Sequence, residues 1–130
     1  MKILVGYDGS HRSENALALA LDHAKTLKAV VVMVTSLQQS PALQKIDIEK
    51  AQSELEYLRT PFNVAGIDCE THVSASYRTP GEDLVHFARE NRIDCIFIGL
   101  KKKSKVGKFV FGSTAQYVIL EAPCPVISVK

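Results

Sequence analysis

The stretch Ile3-Leu4-Val5-Gly6-Tyr7-Asp8-Gly9-Ser10 opens with three consecutive apolar residues and then turns polar around two glycines. A run too short for a helix, apolar at successive positions and closed by a turn, reads as a strand buried on both faces. Residues 12–28 follow with Leu17, Leu21, Ala24 and Leu27 on one stripe, and Ser10 or Ser13 is available to cap this helix. Val30 to Val34 is a second run apolar on both faces. Strand, helix and strand in this order predict a parallel pair joined by a right-handed crossover, with helices covering both sides of the sheet.

The alternation continues along the chain. Ser40-Pro41 offers a cap followed by proline at the first helical position, and Ile48, Ala51, Leu55, Leu58 and Phe62 recur at spacings of three and four, which predicts one helix. A shorter strand is expected near Cys69 to Val73. In Thr79-Pro80-Gly81-Glu82 the threonine can cap, the proline can open a helix and the glutamate can complete a capping box, so a helix is expected over 80–91. Ile93 to Ile98 reads as the fourth strand, Ser113 to Glu121 as a helix with Ala115, Val118 and Ile119 inward, and Val126 to Val129 as the fifth strand. The fold expected is α/β: one doubly wound parallel sheet ordered 3-2-1-4-5, Rossmann-like or flavodoxin-like, forming a single domain over residues 1–130. In that order the topological switch lies between strands one and four, where ligands bind beyond the carboxyl ends. Gly6-Tyr7-Asp8-Gly9-Ser10 and Gly99-Leu100 should therefore border one crevice despite their distance in sequence.

Composition narrows the function classes. At 130 residues the chain is near the commonest domain size, and 46% hydrophobic with 23% charged residues is the composition of a folded, soluble protein. A net charge of +2 does not by itself imply a nucleic-acid partner. No apolar run approaches the ~20 residues that span a bilayer, so a cytoplasmic protein is expected. Cys69, Cys95 and Cys124 show neither a CxxC spacing nor a nearby histidine cluster and read as reduced core residues. His11, His23, His72 and His86 are scattered and receive no ligand or catalytic role.

The segment Gly99 to Thr114, Gly-Leu-Lys-Lys-Lys-Ser-Lys-Val-Gly-Lys-Phe-Val-Phe-Gly-Ser-Thr, leaves a buried strand and ends at a helix start. Gly112, Ser113 and Thr114 would present unpaired backbone N–H groups and the positive end of a helix dipole to an anion. Each part also has a plainer reading. Gly99 can be ordinary turn chemistry, Ser113-Thr114 a simple cap, Asp8 a turn former, and the lysine run a solvated face.

Taken together, Ile3 to Ser10, the Gly99 to Thr114 segment and the closing Ala122-Pro123-Cys124-Pro125-Val126 resemble the universal stress protein family across essentially the whole chain. The resemblance implies a Rossmann-like domain, usually dimeric and often through the last strand, here Val126 to Lys130. The family's nucleotide-binding branch carries Gly-x2-Gly-x9-Gly-Ser/Thr, which contacts ATP or AMP, and its other branch lacks the motif. Here Gly99 is the first glycine, Lys102 stands where the second is expected, Lys103 to Phe111 is the spacer and Gly112-Ser113 closes the motif. Lys102 can obstruct a close backbone approach, or it can direct an ammonium group at a phosphate. Expected contacts to ATP, ADP or AMP are Gly6, Tyr7, Asp8, Thr35, Ser36, Gly99, Leu100, Lys102, Gly112, Ser113 and Thr114. Thr35 and Ser36 fall where the family's second strand meets the adenine, and Asp8 is placed to reach a ribose hydroxyl or a Mg²⁺ ion shared with phosphates.

The functional expectation is an adenine-nucleotide-binding, stress-response or energy-status module without strong catalysis. The alternatives are a ligand-free homodimeric interaction module whose basic loop docks an acidic partner, and a slow Mg²⁺-dependent ATP hydrolase. Related five-stranded folds fit less well. A receiver domain needs an aspartate after the third strand, where Ser74-Ala75-Ser76 stands. A flavodoxin needs a Ser/Thr-rich loop after the first, where Asp8-Gly9-Ser10-His11-Arg12 stands.

Overall fold

A computed structural model describes residues 1–100 and 112–130. Among them, β1 (Lys2–Gly6), β2 (Val30–Gln38), β3 (Cys69–Ser76), β4 (Cys95–Gly99) and β5 (Val126–Val129) form one parallel sheet in the order β3-β2-β1-β4-β5. The helices are α1 (His11–Leu27), α2 (Lys45–Leu58), α3 (Thr60–Val64), α4 (Pro80–Glu90) and α5 (Ser113–Glu121). None is long and apolar enough to cross a membrane.

The alternation of side chains across the pleat divides the core in two. Ile3, Val5, Tyr7, Val31, Met33, Cys69 and Phe97 pack with Ala16, Leu17 and Ala20 of α1, Leu55 of α2 and Phe62 of α3. Leu4, Val32, Val34, Ile96, Ile98 and Leu100 pack on the other face with Leu84, Val85 and Ala88 of α4 and Ala115 and Val118 of α5. Both faces of the central strands are thus removed from water, which is why those strands read as unbroken apolar runs.

Five details differ from the sequence reading. β2 and β3 run on past Val34 and Val73, pairing from Val31 with Cys69 to Gln38 with Ser76. These mostly polar ends lie at the rim of the sheet, where backbone pairing continues beyond the apolar runs. The second helix does not start at Ser40-Pro41, which forms a turn closed by Leu43 N–H donating to Ser40 O at 3.1 Å. It starts at Lys45, where Asp47 accepts from the Gln44 N–H at 2.9 Å. The helix also stops at Leu58, and α3 begins around Pro61, whose missing N–H and ring cannot be accommodated inside a helix. Leu55 and Phe62 nevertheless both reach the core. β4 begins at Cys95 because Ile93 is taken up in closing α4, its N–H donating to Ala88 O at 3.0 Å with Arg92 left-handed. Finally, Ile119 does not point inward: α5 buries Ala115 and Val118 and leaves Ile119 43% exposed.

The predicted caps of α1 and α4 do form. Ser10 Oγ accepts from Ser13 N–H at 3.2 Å. Thr79 Oγ1 accepts from Glu82 N–H at 3.3 Å, while Glu82 Oε1 accepts from Thr79 N–H at 3.0 Å. The three cysteines are free; Cys69 is buried, and Cys95 and Cys124 are half-buried. Burial pushes the Cys69 thiol up to about 11, so it stays protonated at neutral pH.

Leu55→Ala should lower unfolding free energy by about 2–5 kcal/mol through lost contact and cavity formation, and Ile119→Ala by less than about 0.5 kcal/mol. Urea denaturation of the two variants checks both values.

Candidate functional site

Beyond the carboxyl ends of β1, β2 and β4 lies a cleft of about 490 Å³, bordered by Gly6, Tyr7, Asp8, Val34, Ser36, Ile98 and Gly99 from the strands and the turns after them. It sits where the sheet reverses its winding, since β1 leads outward to β2 and β4 leads outward to β5. Helix starts supply the rest of its wall: Ser13 from α1, Pro80 and Leu84 from α4, and Ser113, Thr114 and Ala115 from α5, with Gly112 just before it. Val34, Leu84 and Ile98 make part of the wall apolar.

The three helix starts differ in how their positive ends are compensated. α1 is capped by Ser10 and carries Glu14 in its first turn. α4 has its capping box and carries Glu82 and Asp83. α5 has neither: its N-cap is Gly112, which has no side chain to offer, and its first turn holds no acidic residue. The N–H groups of the first turn of α5, which a helix leaves without partners of its own, and the helix dipole thus lie at the cleft wall uncompensated by side chains of that turn, an arrangement suited to an anion.

The turn after β1 is built by its own polar groups. Gly9 adopts φ +85, and the Asp8 carboxylate accepts from Ser10 N–H at 2.9 Å. Ser13 is buried, and its hydroxyl donates to Ser10 O at 2.8 Å. Partial burial would raise the Asp8 carboxyl, but hydrogen bonds from Ser10 and Ser13 outweigh it and hold the group below its ordinary value of 3.8. Asp8 is therefore an anion at neutral pH at the mouth of the cleft.

At the cleft's other side, Ser36 Oγ donates to Asp83 Oδ2 at 2.7 Å. Thr35, one residue earlier, is buried and donates to Tyr7 O at 3.0 Å, tying the ends of β1 and β2 together. Tyr7 borders the cleft but donates its hydroxyl to Glu54 of α2 at 2.7 Å. Burial, followed by that bond to Glu54, pushes its phenol well above the ordinary value of 10.0.

A family model for the universal stress protein family matches residues 1–130. The chain belongs to that family. The structure of a universal stress protein from Archaeoglobus fulgidus superposes with a TM-score of 0.86 and 34% identity, covering 100% of this chain and 93% of that one. A structure of the universal stress protein from Archaeoglobus fulgidus in complex with dAMP superposes with a TM-score of 0.84 and 32% identity, covering 100% and 98%. A universal stress protein from Thermus aquaticus is 28% identical over 134 residues, covering 98% of this chain and 97% of its own.

In this universal stress protein the fold brings Gly6, Tyr7, Asp8, Ser36, Gly99, Gly112, Ser113 and Thr114 to one cleft. Thr35 and Leu100 are adjacent but outside its lining, with Leu100 buried against the α4 side of the sheet. Lys102, Gly107 and the rest of residues 101–111 lie outside the described residues. The sequence reading missed Ser13, Val34, Pro80, Leu84, Ile98 and Ala115 as wall residues and Asp83 as the partner of Ser36. Asp83 directly precedes the apolar pair Leu84-Val85, so its place near the buried side of α4 was available as a signal.

Gly99 has a packing reason of its own. A Cβ at this position would come within 2.8 Å of the Arg12 carbonyl carbon and 2.9 Å of the Ser13 nitrogen. The first turn of α1 thus lies directly on the end of β4, and only glycine leaves room. Gly99→Ala should cost about 1–3 kcal/mol by forcing these elements apart, measured by thermal denaturation without ligand. Asp8→Asn should be less stable than the native protein at neutral pH. Because the folded Asp8 titrates below 3.8, that difference should be present above this value and vanish as pH falls through the lower, folded value, as followed by acid titration of stability.

Proposed function

We propose that residues 1–130 act as an adenine-nucleotide-binding regulatory module, responding to stress or energy status without strong catalysis of its own. The observation that carries this reading is the start of α5, whose first turn supplies neither a side-chain cap nor an acid and which borders the cleft at the sheet's switch point. Membership of the universal stress protein family supports it, as does the relative 32% identical over the whole chain that was solved in complex with dAMP.

In this reading the phosphates of ATP, ADP or AMP meet the N–H groups of Gly112, Ser113 and Thr114, and Lys102 adds a cationic contact in place of the motif's second glycine. The ribose lies over Gly6 and Gly99 within reach of Asp8, and the base extends toward Ser36. Tyr7, Thr35 and Leu100 shape the strand ends that carry these contacts. Asp8 is the residue that would hold Mg²⁺, with the remaining oxygens supplied by the nucleotide, since the described residues contain no group of three or more metal-ligating side chains. Among the described residues β5 stands at the end of the sheet beside β4, and a second copy adding along Val126 to Lys130 would give a homodimer.

Calorimetry with ATP, ADP and AMP, each with Mg²⁺, should show heat and a matching thermal shift; silence for all three overturns the reading. Ser113→Asp should separate binding from folding. A carboxylate in the first turn stabilises α5 through its dipole yet repels phosphate, so affinity should fall about tenfold or more while thermal stability holds or rises.

A further inference from the structure

Asp83 is 5% exposed, in the first turn of α4 beside two wall residues of the cleft, Pro80 and Leu84. Its Oδ2 accepts from Ser36 Oγ at 2.7 Å and its Oδ1 accepts from Ser76 Oγ at 3.3 Å. Ser76 is held in turn, its Oγ accepting from Arg78 N–H at 3.2 Å. The ends of β2 and β3 and the start of α4 thus meet in a small polar cluster, of which only Ser36 borders the cleft. A carboxylate taken out of water needs such donors, and by accepting their hydrogens it also decides where those hydrogens point.

A serine hydroxyl has one hydrogen and two lone pairs. With the Ser36 hydrogen directed at Asp83, the oxygen can offer only lone pairs to whatever occupies the cleft. Ser36 stands at the end of β2, and the start of α5 lies on the β4 side of β1. β2 and β4 stand two strand spacings apart, about 10 Å, so a ligand with its phosphate at α5 and its ribose over β1 extends its base toward Ser36.

The geometry points to Ser36 as the residue that reads the base: held by Asp83 as a hydrogen-bond acceptor, it selects a nucleobase edge carrying an amino group over one carrying a carbonyl in its place. Adenine satisfies this acceptor, whereas hypoxanthine or guanine would set a carbonyl oxygen against its lone pairs and leave both unpaired. Asp83 is a positioning residue and touches no ligand. This inference rests on the cleft being an adenine-nucleotide site, and the test keeps the two ideas apart.

AMP and IMP, which present an amino group and a carbonyl at the same ring position, are titrated against the full chain by calorimetry. The native protein should bind AMP about tenfold or more tightly than IMP. Ser36→Ala should weaken AMP to near the IMP value and leave IMP unchanged or improved, and Ser36→Thr should keep the preference. Asp83→Ala, with Ser36 intact, frees the hydroxyl hydrogen to turn into the cleft and should raise IMP toward AMP; a purely structural role would weaken both ligands in parallel. Should Asp83→Ala fail to fold, the Ser36 pair decides. Equal AMP and IMP binding by the native protein, or parallel losses in Ser36→Ala, overturns the selection by Ser36. Binding of neither nucleotide overturns the adenine-nucleotide reading itself.

Discussion

A parallel sheet whose central strands are apolar on both faces has to be covered twice, and this constraint produces the rest of the molecule. α1, α2 and α3 shelter one face and α4 and α5 the other. With right-handed crossovers, helices can reach both faces only if the winding reverses once. The chain steps outward from β1 to β2 and β3, returns to place β4 beside β1, and continues to β5. The loops leaving β1 and β4 then diverge to opposite faces, and the space between them is the cleft.

The chemistry of the cleft follows from how that space is lined. Helices begin where parallel strands end, so backbone N–H groups from α1, α4 and α5 are drawn to one region. Two of the three starts compensate their positive ends internally, through Ser10 and Glu14 in α1 and through Thr79, Glu82 and Asp83 in α4. α5, with Gly112 before it, does not. An electrostatic difference between otherwise similar helix ends thereby gives the cleft a direction, with an anion-favouring end at α5 and hydroxyl groups at the far end of β2. The fit of α1 against β4 at Gly99 shows how close the elements around this space are packed.

Much of this was legible in the residues. Doubly apolar runs at Ile3 to Val5 and Val30 to Val34, helical stripes, and the Thr79-Pro80-Gly81-Glu82 start identified a doubly wound sheet and its strand order, because burial on both faces leaves a mark on every residue of a central strand. Rim features were harder. The extensions of β2 and β3 through Thr35 to Gln38 and Ser74 to Ser76 are mostly polar, and backbone pairing at a sheet's end leaves no continuous hydrophobic signature. The helix break near Pro61 was masked by Leu55 and Phe62, which keep their apolar spacing across two helices. Ile119 was assigned inward by its apolar character, whereas the orientation of α5 leaves it partly open to solvent.

For the site, sequence alone determined the kinds of group available: a glycine, serine and threonine at a helix start, an acid after the first strand, and hydroxyl residues after the second. Those depend on local chemistry, on φ angles, caps and helix ends, which neighbouring residues settle. Only the tertiary structure decided which of these groups face one another. It turned Thr35 to hold the backbone of Tyr7, directed Ser36 to a buried acid 47 residues away, and made Gly99 a packing requirement of α1. Such relations are set by the relative placement of distant elements, and side-chain hydrogen bonds, which need partners within about 3 Å, carry no trace of it in the spacing of the residues that make them.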